Sequence, residues 1–229
     1  MSTILVKEKD VVVPGEVLAQ GMDYLPGDNT YREEDKICSS VLGLASVPGR
    51  VIKITPLSGP YIPQAGDKII AQVTDITMTS WRIDTGTAYT AMLNVRDASS
   101  RFIKNDEDLS QILSIGDYVV AKIVKVTSQM LIDLTMKEPG LYKVTGGRII
   151  RVNSQKVPRV IGKAGSMISL IKSKTNCEIT IGQNGFVWIK GSPEGEILAQ
   201  RAVLMIAEKA HQEGLTEKID KFLEENKVQ

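Results

Sequence analysis

Four residues, Gly162-Lys163-Ala164-Gly165, constrain this chain more than any other feature. Apolar residues precede them at Val157, Val160 and Ile161 and follow at Met167, Ile168, Leu170 and Ile171, with helical spacing. The pattern predicts two short helices joined by a turn with glycine at both corners. Glycine corners let another backbone approach closely. The second helix, starting near Ser166, would direct its free amides at whatever lies in the turn. Lys163 adds a point charge at the tip. A P-loop is excluded, because it needs Gly-x-x-x-x-Gly-Lys-Ser/Thr. Here Lys follows the first glycine of a Gly-x-x-Gly and Ala follows the Lys. The turn is then either a plain helix–helix connection or a loop that holds a sugar–phosphate backbone.

The flanking segments favour the second reading. Gly147–Val152 reads as a strand. Glu178–Ile181 and Phe186–Lys190 read as two more strands, joined by Gly182-Gln183-Asn184-Gly185, and Asn-Gly is a strong hairpin signal. Pro193 opens a helix with Ile197, Leu198, Ala202, Met205 and Ile206 expected on one face. The order β-α-α-β-β-α with Gly-x-x-Gly between the first two helices resembles the KH family, type I order, over roughly residues 147–210. The resemblance implies a clamp for about four nucleotides of single strand. It places Ile161, Gly162, Lys163, Ala164, Gly165 and Ser166 at the clamp, with Arg159 and Lys172 beside them. It also implies an aliphatic groove, for which Ile161, Ile168 and Ile179 are candidates; core packing is the alternative for each. Trp188 fits a core position better than a stacking platform.

Charge agrees once it is resolved along the chain. The formal net charge is only +1, from 28 basic and 27 acidic residues, which taken whole argues against a nucleic-acid binder. Residues 137–229, however, hold 15 basic and 10 acidic groups, while 1–58 and 59–136 are each net acidic. Between Glu138 and Glu178 there is no acidic residue, and that interval carries Lys143, Arg148, Arg151, Lys156, Arg159, Lys163, Lys172 and Lys174. An acid-free stretch of this kind suits a surface that tracks phosphates.

The first 136 residues differ in character. Short segments rich in Val, Ile and Thr are separated by Gly, Pro, Asn and Asp, which predicts small all-β domains. Pro/Gly clusters at 58–66 and 137–140 divide the chain into 1–60, 61–137 and 138–229. In the middle part Ile69, Ala71 and Val73 alternate with Lys68, Gln72 and Thr74. Further strands are expected at 81–84, 88–95, 118–126 and 130–134. Two Gly-Asp strand starts (Gly66-Asp67, Gly116-Asp117) and a closing strand after a short loop resemble the S1-type branch of the OB fold. Such barrels bind single strands by stacking and charge. Only Tyr89 appears among the aromatics expected on the binding strands around 85–93. Arg96, Arg101 and Lys104 surround an expected loop and are candidate phosphate contacts, the alternative being a solvated loop balanced by Asp97, Asp106, Glu107 and Asp108.

The N-terminal piece is short enough that a partner surface is expected to support it. Its run Val13-Pro14-Gly15-Glu16, then Gly27-Asp28-Asn29-Thr30-Tyr31, then Tyr61-Ile62-Pro63-Gln64-Ala65-Gly66-Asp67 and Trp81, is distinctive. With an S1-type barrel and one KH domain behind it, the chain resembles the RNA-binding cap subunits of the archaeal exosome over nearly its whole length. The Gly182-Gln183-Asn184-Gly185 turn matches a Gly-x-Asn-Gly feature of that family. The family often has Gly-x-Gly-Thr-Tyr, and Asn29 stands where its second glycine would be, a change expected to affect only a local turn.

The resemblance implies a multidomain chain, mainly β plus α+β. Three caps, alone or mixed with a related cap protein, would sit on a hexameric ring of RNase PH-type subunits. The N-terminal domain would hold the ring, the barrels would line its pore and the KH domains would lie outside. The ring, not the cap, would carry out phosphate-dependent 3′→5′ degradation of single-stranded RNA.

Other classes fit less well. No apolar run approaches the roughly 20 residues of a membrane span, and Lys7, Glu8, Lys9 and Asp10 interrupt any signal-peptide core. Two cysteines, Cys38 and Cys177, are too few for a disulfide framework or a Cys-rich zinc site and suggest a reducing, cytoplasmic setting. No metal or cofactor is expected. The single histidine, His211, lies in a polar helical tail, and no nucleophile has an identifiable base. A non-catalytic RNA-binding subunit is therefore the leading reading. A transcription elongation or termination factor with S1 and KH modules is the alternative, weakened because only one Gly-x-x-Gly is present. The RNA-binding end of a phosphorolytic enzyme would place KH before the barrel. A purely structural adaptor would not need the acid-free interval.

Overall fold

The structure is a computed structural model and describes residues 3–99, 107–210 and 214–226. The chain forms two compact units, Met1–Gly59 and Pro60–Gln229. No helix among the described residues is long and apolar enough to cross a membrane.

Among its described residues the first unit contains eight short strands: β1 (Thr3–Ile4), β2 (Val11–Val12), β3 (Val17–Gln20), β4 (Leu25–Pro26), β5 (Thr30–Glu33), β6 (Lys36–Ser39), β7 (Gly43–Ser46) and β8 (Val51–Pro56). They form two sheets, in the orders β1-β3-β6-β5 and β2-β7-β8-β4. Val6, Val12, Leu18, Ala19, Ile37, Ala45, Ile52 and Ile54 make a core of its own. The Gly27–Tyr31 segment is built around that core. A Cβ at Gly27 would lie 2.8 Å from the Val51 side chain, so the two segments pack only because that atom is missing. Asn29 takes the left-handed conformation at φ +59°, which asparagine tolerates better than other L-residues with a Cβ. Its amide also donates to the Ile54 carbonyl at 2.9 Å. Asparagine thus does the conformational work of the usual glycine and adds a bond, so the change stays local as expected.

In the second unit, β9 (Lys68–Ile76), β10 (Ser80–Asp84), β11 (Thr90–Asn94), the one-turn α1 (Val95–Ala98), β12 (Tyr118–Val126) and β13 (Ile132–Thr135) follow in order. The pairings β9–β10, β10–β11, β13–β12 and β12–β9 are antiparallel and β11–β13 is parallel, which closes a five-stranded OB-type barrel. Ile69, Ala71 and Val73 point inward with Trp81, Ile83, Leu93, Ile123 and Leu134. Trp81 is fully buried and its indole N–H donates to the Leu113 carbonyl at 3.0 Å. The expected alternation breaks at Ile70, which is also fully buried. It faces outward, opposite Val120 on β12, into a second apolar cluster with Trp188, Ile149 and Phe186. The outside of this part of the barrel is therefore an interior surface.

After β14 (Tyr142–Lys143), which extends the barrel sheet beside β12, come β15 (Arg148–Arg151), α2 (Val157–Ile161), α3 (Ser166–Thr175), β16 (Glu178–Ile181), β17 (Phe186–Lys190), α4 (Pro193–Glu208) and α5 (Leu215–Glu225). The antiparallel sheet order is β15-β17-β16. This is the KH arrangement, with the core between the sheet and helices. Ser192 caps α4 by accepting from the Gly195 N–H at 3.1 Å, with Pro193 in the first turn. The buried face of α4 is Leu198, Ala199, Ala202, Val203 and Ile206, while Ile197 is exposed. Of the expected face, Leu198, Ala202 and Ile206 are buried and Met205 packs against the core, so Ile197 alone falls outside it. The tail is docked: Leu215, Ile219 and Leu223 of α5 are buried in the KH core.

Candidate nucleic-acid interface

The Gly-Lys-Ala-Gly loop has the geometry its sequence predicts. α2 ends where the Gly162 N–H donates to the Pro158 carbonyl at 3.0 Å. Gly162 has φ +77°, and a Cβ there would lie 2.7 Å from both the Met167 backbone nitrogen and its Cβ. Only glycine fits. Ala164 (φ +51°) and Gly165 (φ +78°) are both left-handed, a conformation that costs alanine about 1 kcal/mol and is held here by the helices on either side. No side chain caps α3; the Gly165 and Ser166 N–H groups close the turn onto the Gly162 and Lys163 carbonyls, and Lys163, Ala164 and Ser166 are exposed. A helix N-terminus and one ammonium meet at a surface turn, which is a way to hold a phosphate.

Of the groove candidates, Ile161 and Ile168 are half-buried and flank the loop, whereas Ile179 is 4% exposed and belongs to the core. Trp188 is a core residue at the face toward the barrel, its N–H given to the Gly146 carbonyl at 2.8 Å. Arg159 is exposed on α2. Lys172 is exposed on α3, one turn beyond Ile168 on the same face. Arg96 is exposed on α1, two residues after Asn94, which pairs with Ser80 at one end of the β10–β11 hairpin. The KH fold meets the barrel beside the other end, at Thr85 and Gly86, so Arg96 is not brought together with the Gly-x-x-Gly loop. Arg101 and Lys104 lie outside the described residues, as do Asp106 and His211. Asp108 caps a short turn by accepting from the Ser110 N–H at 3.0 Å, a structural use.

The acid-free interval is less free than it reads. Lys143 pairs with Asp117, Arg148 with Glu196, and Lys174 with Glu224 at 2.8 Å and Asp220 at 3.1 Å. Arg151 donates to the Gly86 carbonyl at 2.7 Å and lies over the Phe186 ring. All four of those acids come from outside the interval. Among the described residues Lys156, Lys163 and Lys172 have no acidic partner. Within the interval, the basic side chains without an acidic partner therefore lie around the loop and its two helices.

A second group of residues ties the KH fold to the barrel. Asn184 is buried; its amide donates to the carbonyls of Ile70 (2.7 Å) and Thr85 (2.8 Å), and its oxygen accepts from the Ile70 N–H at 3.3 Å. The Gln183 N–H donates to the Lys68 carbonyl at 2.8 Å. Gly182 and Gly86 are both required: a Cβ would lie 2.7 Å from the Ile70 nitrogen in the first case and 2.5 Å from the Phe186 ring in the second. Tyr142 stacks edge-on against Trp188 and bonds the Thr180 hydroxyl at 2.7 Å. Reading Asn184-Gly185 as a hairpin signal captured the turn and missed this second role. The available signal was the Ile69-Ile70-Ala71 run, apolar on both faces of one strand.

The comparisons with known proteins meet this geometry. A KH domain family model matches residues 147–195. The model for the exosome complex exonuclease RRP4 N-terminal region matches residues 11–54. Exosome complex component Rrp4 of Methanothermus fervidus is 44% identical over 220 residues, covering 96% of this chain and 97% of its own. The chain belongs to the Rrp4 family of exosome complex components. Rrp4 of Methanothermobacter thermautotrophicus is 43% identical over 221 residues, covering 96% of this chain and 70% of its own. A solved structure described as a candidate exosome complex RNA-binding protein superposes with a TM-score of 0.66 at 34% identity, over 73% of this chain and 97% of that one. The Rrp4 likeness runs through the N-terminal sheets, the barrel and the KH fold together, so a transcription factor with S1 and KH modules is not favoured.

Proposed function

We propose that this Rrp4-family chain is a non-catalytic RNA-binding cap, working as three modules over 1–60, 61–137 and 138–229. Its KH loop captures single-stranded RNA, and the chain feeds the strand to a phosphorolytic RNase PH-type ring for 3′→5′ degradation. The observation that carries this reading is the loop at 162–165. Two glycines, a left-handed alanine, an exposed lysine and a helix start without a side-chain cap sit together in a KH fold. Ile161, Gly162, Lys163, Ala164, Gly165 and Ser166 would touch the strand, with Arg159 and Lys172 alongside. Arg96, Arg101 and Lys104 would contact phosphates on the barrel.

The N-terminal unit would hold the ring. Leu5, Val11, Val13, Met22 and Leu25 are each more than half exposed there, apolar surface that a protein partner would cover. Three copies would crown one hexameric ring, alone or with a second cap protein. A cytoplasmic setting suits the two buried free thiols.

Mixing the full chain with an RNase PH-type hexamer and a single-stranded RNA tests the proposal. Co-elution with the ring, faster phosphate-dependent shortening of the RNA, and no shortening by the chain alone are expected. Shortening by the isolated chain, or failure to associate with the ring, would contradict it.

A further inference from the structure

Of the seven asparagines in the chain, only Asn184 precedes a glycine. Asparagine is chemically labile, and a following glycine leaves the next backbone nitrogen without a side chain to shield it. In an open turn this pair would lose its amide before the other six. The fold closes that route at each point. Asn184 is 3% exposed, which keeps water and hydroxide away. Its amide nitrogen donates to the Ile70 and Thr85 carbonyls, and neither acceptor can supply the proton that a leaving nitrogen needs. Its oxygen is held by the Ile70 N–H. The attacking group is engaged too, because the Gly185 N–H donates to the Gly182 carbonyl at 3.0 Å. Every side-chain bond of Asn184 crosses from the KH hairpin to the barrel, so the protection lasts only while the two are docked.

We propose that Asn184 is a deamidation site gated by the barrel–KH joint, and that its conversion is a one-way record of joint opening. Once the joint opens, hydroxide takes the Gly185 N–H proton and the nitrogen attacks the Asn184 amide carbon. A C–N bond forms, and the side-chain nitrogen leaves as ammonia with a proton from water. Water then adds to the cyclic imide and breaks one of its C–N bonds, giving aspartate or isoaspartate. The net change consumes one water, releases one ammonia and transfers no electrons. Aspartate cannot re-dock as asparagine did. Its carboxylate has no hydrogen to give, so it would face the Ile70 and Thr85 carbonyls as a buried, unpaired charge. Isoaspartate lengthens the backbone of a turn already so tight that a Cβ at Gly185 would lie 2.2 Å from the Val152 carbonyl oxygen. The device is independent of what the loop at 162–165 binds.

The test holds the full chain at mildly alkaline pH, in native buffer below its melting transition and in denaturant. Digestion with trypsin and mass spectrometry then follow the fragment 175–190, in which the exposed Asn176 is an internal reference. In denaturant Asn184 should convert ahead of Asn176. In native buffer its conversion should be slower than in denaturant by about tenfold or more, as an opening equilibrium requires. Ile70→Ala removes apolar contact from the joint and should speed native conversion at Asn184 severalfold while leaving Asn176 unchanged. If that variant does not fold, Tyr142→Phe, which gives up only the Thr180 hydroxyl bond, should act in the same direction. Ile37→Ala, in the separate N-terminal core, should not speed it. Asn184→Asp should lower the melting temperature more than Asn184→Ala. Native conversion as fast as in denaturant, or unmoved by loosening the joint, would overturn the gating. An Asn184→Asp chain as stable as wild type would overturn the one-way step.

Discussion

The side-chain amide of Asn184 donates to the carbonyl of Ile70 at 2.7 Å, across 114 positions of sequence. The same amide reaches the Thr85 carbonyl, and its oxygen meets the Ile70 N–H. One buried side chain of the KH hairpin thus satisfies three backbone groups of the barrel. Asn184→Ala should cost about 2–4 kcal/mol, because the barrel groups stay buried without partners. Equilibrium denaturation of the variant checks this, and a loss below about 0.5 kcal/mol would show that the joint does not depend on it.

Asn29 separates conformation from hydrogen bonding. Asn29→Gly keeps the left-handed turn and loses the bond to the Ile54 carbonyl, which should cost about 1 kcal/mol. Asn29→Ala loses the bond and adds about 1 kcal/mol of backbone strain. The order of midpoints in a thermal melt should be wild type, then glycine, then alanine.

Asp117 predicts a pH dependence. Burial raises its pKa, but hydrogen bonds from the Lys143 ammonium and the Ser114 N–H, with the Lys143 charge, outweigh burial and leave it below the ordinary 3.8. A carboxyl depressed in the folded state adds stability above its unfolded pKa and loses it as pH falls through the folded one. Asp117→Asn should therefore lower stability at neutral pH, and the gap should close only below about pH 4. A gap independent of pH would mean that the carboxylate charge is not what matters.

The C-terminal helix α5 is part of the KH core. Leu215, Ile219 and Leu223 are all at most 2% exposed, and each contributes about 1.5–3 kcal/mol by burial as an upper range. Ending the chain at Gly214 should lower the melting temperature and expose apolar surface of α3 and α4. An unchanged melting temperature would contradict this docking.

The sequence disclosed elements better than the contacts between them. Glycine punctuation and aliphatic periodicity are local, so the β-α-α-β-β-α order, the Gly-x-x-Gly loop and the barrel strands could be read directly. The partners of the basic residues were not legible. Lys143 and Lys174 sit in an acid-free interval, yet they find Asp117, Asp220 and Glu224 through tertiary folding. Ile70 looked like one more apolar strand residue, and only the docked KH sheet explains why it is buried on the outside of a barrel. The apolar positions of α5 were visible, but not the surface that receives them.

The most direct measurement is the affinity of the full chain for single-stranded RNA after the loop is made acidic. The glycines must stay, since Gly162 has no room for a Cβ. Lys163→Asp with Ala164→Asp changes only exposed positions, and aspartate tolerates the left-handed conformation at 164. Affinity should fall by about tenfold or more at moderate salt, with circular dichroism and melting temperature unchanged. RNA binding undiminished in a folded variant would contradict the assignment of this loop as the RNA clamp.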